Sequence, residues 1–138
     1  MREFFITHLY FIPVFAWVAA VVVKWAIIAH KKQFVVRHMF GSGGMPSVHA
    51  ALVTSLTTAI GIKYSIYDDL FLVCVAFSCI IIYDALNVRF EAGRHAKALN
   101  LMSKKEVKEF NESIGHLPKE ALVGSIIGIL TAIVTLGF

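Results

Sequence analysis

With 138 residues, 58% of them hydrophobic and 16% charged, the chain has room for one domain and is too apolar for an ordinary soluble one. Thirteen Lys and Arg against nine Asp and Glu give a net charge of +4. The bases are not interleaved with stacking aromatics, so no nucleic-acid partner is expected. What remains is a small polytopic membrane protein, all-α, predicted as a bundle of about four transmembrane helices plus a short interfacial helical segment, one membrane-embedded domain over residues 1–138.

The first apolar run is Leu9 to Ala29, broken only by Lys24. No small-x-small cleavage pattern follows it, so it reads as a span and not as a leader. Lys24 lies about one and a half turns from the end of that run. A lysine at mid-helix costs ~2.5–3.5 kcal/mol, and less near the end, where the side chain can snorkel to water. Snorkelling and a buried functional role both fit the position.

Residues 30–48 follow, with Lys31, Lys32 and Arg37 and no acid. This segment closes on Gly41-Ser-Gly-Gly-Met-Pro-Ser-Val-His49, a polar turn between two apolar runs. Pro46 suits the first turn of a helix, where an amide N–H would be unpaired anyway. The free N–H groups of such a turn, with the helix dipole, suit an anion. Gly43 and Gly44 would let backbone approach it closely.

The second run, Ala50 to Ile62, is short for a hydrocarbon core of ~30 Å and is expected to lie partly inside protein. The third is Leu70 to Leu86, with Asp84 near its end as a boundary or as a partner for Lys24 or Arg89. Cys74 and Cys79, five apart, do not share a helical face and are expected to remain thiols. Val88 to Leu101 mixes apolar and charged residues at helical spacing, as an interfacial helix does. Ser103-Lys-Lys-Glu106 resembles a capping box opening a further short helix to about Glu112. The last run is Ala121 to Phe138.

The loops 30–48 and 87–120 hold ten of the thirteen Lys and Arg. The positive-inside rule therefore predicts both on the cytoplasmic side of a cell (inner) membrane. Lys24, His49, Asp84, Arg89 and His116 would then gather at one membrane face beside the glycine-rich turn. With Lys24, Arg37 and Arg89 as cations, a phosphate is the natural ligand. Asp84 and Glu120 are too few acids for a hard-cation cage, so neither a metal nor another cofactor is expected.

Three stretches, GGMPSVHA at 43–50, YDALNVRFEAGRHAKALN at 83–100 and ESIGHLPKEALVG at 112–124, resemble the divergent type 2 phosphatidic acid phosphatase family, related to acid phosphatases and vanadium-dependent haloperoxidases. The resemblance runs in order along nearly the whole chain. It implies a phosphatase-like domain that hydrolyses a phosphate ester or diphosphate of a membrane lipid through a phosphohistidine. His116 would be the nucleophile, its tautomer set by Glu120, and His49 the general acid. Lys24, Arg37, Gly44, Ser47 and Arg89 would hold the phosphate oxygens, with Asp84 in support.

The chain departs from the wider pattern at Val48, where a glycine is usual, and at Glu120, where an aspartate is usual. Arg89 stands 27 positions before His116 where six is usual, so an inserted segment must bring it back. Arg89 and His95 do keep the six-residue offset, but Leu99 stands where an orienting acid would follow. Four spans also leave less wall for a lipid than six, which implies a homodimer. A lipid-phosphate binder or transporter that keeps the anion site without turnover is the alternative reading.

Overall fold

The computed structural model describes residues 2–30, 43–103 and 109–137. A short aromatic helix, α1 (Arg2–Thr7), precedes the first span, α2 (Phe11–His30). Phe4, Phe5, His8, Phe11 and Phe15 pack ring against ring across the joint. Such an aromatic cluster suits the membrane–water boundary. Pro13 is tolerated because it falls in the first turn of α2, where its missing N–H has no helical partner to lose.

At 1.5 Å per residue the twenty residues of α2 reach ~30 Å, the thickness of a hydrocarbon core. Its buried residues are Ile12, Ala16, Ala20 and Lys24, a stripe at four-residue spacing. Lys24 therefore continues the inward face of the helix. It does not snorkel: only 5% of its surface is exposed.

The next span, α3 (Val48–Lys63), would cover only ~24 Å, but it is the central helix, packed against α2 and against the two later spans. Encasement in protein removes the need to match the bilayer thickness. The spans that surround it are α4 (Asp69–Leu86), opened by the Asp68 side chain accepting from the Leu70 N–H, and α6 (Pro118–Gly137). Between them runs α5 (Val88–Met102), which turns out of α4 at Asn87 and is too polar to span.

Hydroxyl groups join the spans. The Thr54 Oγ1 donates to the Ala50 carbonyl in its own helix and lies 3.2 Å from the Ser125 carbonyl on α6. The Thr57 Oγ1 meets the Ser78 Oγ of α4 at 2.8 Å. Buried hydroxyls that find partners across helices act as glue where lipid supplies no hydrophobic drive. The closest approach is between α3 and α6. A Cβ on Gly124 would lie 2.1 Å from the Ser47 carbonyl oxygen, and one on Gly128 2.2 Å from that of Ala51. Glycines four apart allow this backbone contact, the small-xxx-small arrangement of membrane helix pairs.

Two local expectations are corrected. Ser47 is the N-cap of α3, with its Oγ accepting from the Ala50 N–H, so Pro46 precedes the helix instead of opening it. The further helix expected from Ser103 to Glu112 does not extend over its described end. Residues 109–117 have no regular secondary structure, because Asn100 and Ser113 make bonds that a helix would displace. Residues 104–108 of that segment lie outside the described residues, as does Arg37.

Candidate phosphate site

The turn before α3 and the irregular segment before α6 are laced together. The Gly43 N–H donates to the Ser113 carbonyl, the Ser47 N–H to the Glu120 carbonyl, and the His116 N–H to the Ala85 carbonyl at the end of α4. The Lys24 Nζ donates to the Gly43 carbonyl at 2.8 Å from below. Gly44, at φ +91°, takes a left-handed conformation that a side chain would strain. Every span thus contributes to one polar layer at one end of the bundle.

His116 is the buried centre of that layer, 3% exposed. Its Nδ1 lies 3.3 Å from the Glu120 Oε2, one helical turn on. The same oxygen accepts from the Leu117 N–H at 3.0 Å, as a Glu at the third position of a helix commonly does for its cap residue. Glu120 is thereby fixed by the helix start and in turn fixes the imidazole. With Nδ1–H donating to the carboxylate, Nε2 carries the lone pair. That Nε2 is buried with no hydrogen-bond partner among the described residues. Burial pushes the His116 pKa below the usual histidine value; Glu120 opposes the shift, Lys24 adds to it and the nearby Gly44 backbone opposes it. The neutral ring is the resting state near neutral pH.

His49, on the first turn of α3, is exposed and lies within electrostatic reach of Arg89, His116, Asp84 and Lys24. Arg89 is paired with Asp84 through its Nε, which settles the partner of Asp84. The long interval between Arg89 and His116 is closed by Gly115. A Cβ there would lie 2.4 Å from the Phe90 Cα, so the segment before His116 lies directly on the start of α5. His95 is exposed on α5, and Leu99, four residues on, is exposed as well.

Ser47 requires a correction. Its N–H is committed to the Glu120 carbonyl, so it cannot also bind an anion; the hydroxyl proton is what the residue has left to offer. The unpaired donors of the α3 first turn are instead the N–H groups of Val48 and His49, for which no described group is an acceptor.

Two cavities flank the Gly44 turn. One, of about 220 Å³, has Lys24, Ile27, Ile28 and Met45 in its wall. The other, of about 260 Å³, is walled by Phe90, Gly93, Arg94 and Lys97 of α5. Both touch Gly44, Ser113, Leu117 and Glu120. Neither reaches the His116 ring itself. Among the described residues no three His, Cys, Asp or Glu side chains converge as metal ligands.

The fold defines a helical membrane protein with a buried polar layer, centred on His116, at one end of its bundle. The chain belongs to the divergent PAP2 family, whose family model matches residues 6–131. It is also 32% identical over 111 residues to the uncharacterized membrane protein YuiD of Bacillus subtilis (strain 168), covering 67% of this chain and 70% of that one. No solved structure matches.

Proposed function

We propose that the protein is a metal-independent phosphatase acting on a phosphorylated membrane lipid at the cytoplasmic leaflet. The observation that carries this reading is the buried His116, with Nδ1 held by Glu120, Nε2 without a hydrogen-bond partner among the described residues, and Lys24 and His49 within electrostatic reach. A neutral imidazole fixed in one tautomer is a nucleophile, whereas a structural histidine would have both nitrogens satisfied.

In the first step Nε2 bonds to phosphorus, the P–O bond to the lipid breaks, and the departing oxygen takes a proton from His49. In the second, water attacks the phosphohistidine, gives its proton to the now neutral His49, and inorganic phosphate leaves. Lys24, Arg89, the Ser47 hydroxyl and the Val48 and His49 N–H groups would hold the equatorial oxygens as charge builds. Arg37 is proposed for the same task from its family position. Because Nε2 is covered, turnover requires the Gly44 turn to yield, and the Lys24–Gly43 bond is the contact a phosphate would replace.

Phosphate release from a lipid-phosphate panel in metal-free detergent micelles tests the reading. The wild type is expected to release phosphate, and His116→Ala and His49→Ala to lose at least ~100-fold. Release that persists in both variants overturns the mechanism. The covered Nε2 favours one second reading, a lipid-phosphate binder without turnover, which saturable binding without release would establish.

A further inference from the structure

The segment that carries His116 has no regular structure over 109–117, so contacts with its neighbours set its course. Three of those neighbours lie on α5. At the end far from His116, the Asn100 carboxamide meets both backbone groups of Phe110. Its Oδ1 accepts from the N–H at 2.8 Å and its Nδ2 donates to the carbonyl at 3.0 Å. The same Nδ2 donates to the Glu112 Oε1 at 2.8 Å. Further along, Gly93 leaves room for the Glu112 carbonyl oxygen, which would lie 2.8 Å from a Cβ there. Gly115 then rests on Phe90, and the His116 N–H reaches the Ala85 carbonyl.

Asn100 suits its place by chemistry more than by packing. A side chain that reads the N–H and the carbonyl of one residue must hold a donor and an acceptor side by side, as the carboxamides of Asn and Gln do. An ionised Asp has no donor and would face the Glu112 carboxylate, and Ala has neither group. Asn100 is partly buried near the C-terminal end of α5, and among the helices α5 packs chiefly on α4. The clasp takes no part in the contacts of α2, α3 and α6 that hold the bundle. What it holds is the level of residues 110–116 along α5. These include Ser113, whose carbonyl accepts from the Gly43 N–H of the glycine-rich turn, and His116 itself.

We infer that Asn100 is a positioning residue for His116: it fixes the segment 110–116 on α5 and so sets where the buried imidazole sits against the glycine-rich turn. The inference rests on the phosphatase reading and adds to it a residue that acts through the segment, away from the reacting atoms. A misplacement of about 1 Å at a reacting group can cost roughly 100-fold in rate. Loss of the clasp is therefore expected in kcat more than in KM.

Phosphate release from a lipid phosphate in metal-free micelles should fall ~10–100-fold in kcat in both Asn100→Ala and Asn100→Asp, with KM changed by no more than about threefold. Met102→Ala, two residues on and 77% exposed, should match the wild type. The Tm of each variant in detergent should stay near that of the wild type, because the bundle contacts are kept. A wild-type kcat in either Asn100 variant overturns the inference, and so does a loss carried by KM alone. If Asn100→Ala does not fold, Asn100→Asp keeps the shape of the side chain, and Gly93→Ala displaces the same segment with Asn100 in place; both are read by the same criteria.

A second readout needs no turnover. Carbethoxylation of His116 by diethyl pyrocarbonate, located by mass spectrometry, should be slow in the wild type because the residue is 3% exposed. It should be about tenfold faster or more in the two Asn100 variants, as the segment opens locally, and unchanged in Met102→Ala. If the wild type releases no phosphate, the phosphatase reading fails by itself and the modification rate still decides on Asn100. Equal rates in the wild type and both variants overturn its hold on His116.

Discussion

At the scale of single residues, His116 and Glu120 set a pH dependence whose sign follows from the site. Burial lowers the folded pKa of His116 below its unfolded value of ~6.5. The stability this histidine contributes is complete above that value and is lost as pH falls from there through the folded pKa. Thermal midpoints in detergent should therefore drop as pH falls below the unfolded value of ~6.5, and by less in His116→Gln. Turnover should follow the neutral ring, with an acid limb below the usual histidine range. Glu120 raises the His116 pKa, so Glu120→Gln should move that limb to still lower pH. It should also lower the plateau by ~100-fold or more, because the tautomer is no longer fixed. A pH–rate profile reads both; a limb that moves upward contradicts the assignment. Lys24 gives a second contrast. Lys24→Met removes an intramembrane cation costing ~2.5–3.5 kcal/mol, but strands the Gly43 carbonyl at about 1–3 kcal/mol. The variant should therefore still show a cooperative thermal transition in detergent while losing phosphate release.

At the scale of elements, the contact of α3 with α6 admits no side chain at Gly124 or Gly128. Gly128→Ala must push its Cβ against the Ala51 carbonyl and the Thr54 Oγ1, and overpacking of this kind costs about 1–3 kcal/mol. Gly124→Ala strains the Ser47 carbonyl as well, at the N-cap that presents His49, so it should reduce turnover in addition to Tm. Comparing the two variants by thermal unfolding and phosphate release separates packing from site geometry. The spans themselves were legible in hydropathy. The runs Leu9–Ala29, Ala50–Ile62, Leu70–Leu86 and Ala121–Phe138 differ from the observed helices by a few residues, because a cap such as Ser47 or a Pro at 118 decides a helix start where hydropathy does not. Asn100 was not legible, nor was the loss of helix over 109–117. The capping-box pattern at Ser103 is a local preference, while the Asn100 clasp on Phe110 is a tertiary bond with no periodic signal. Lys24 and Gly124 could have been read more closely. The four-residue stripe Ile12, Ala16, Ala20, Lys24 and the pair Gly124, Gly128 are both plain in the sequence.

At the scale of the whole molecule, the site faces one side of the membrane, and which side decides the lipid it can meet. Arg94 and Lys97 of α5 and Lys119 in the first turn of α6 lie at the same end of the bundle as the Gly44 turn. The opposite end carries the turn from Tyr64 to Asp68, with its two neighbouring acids and an almost fully exposed Tyr67. Lys and Arg resist transfer across the membrane far more than Asp and Glu do, so the basic end is predicted to face the cytoplasm. A cysteine scan tests this. In a background with Cys74 and Cys79 replaced by Ala, Tyr67→Cys should react with a membrane-impermeant thiol reagent on intact cells. Leu101→Cys, exposed on α5 at the other end, should react only after the membrane is opened. The reverse pattern would put His116 on the outer face. The substrate would then have to be sought in the outer leaflet, where the residue chemistry would stand but the supply of lipid phosphate would not.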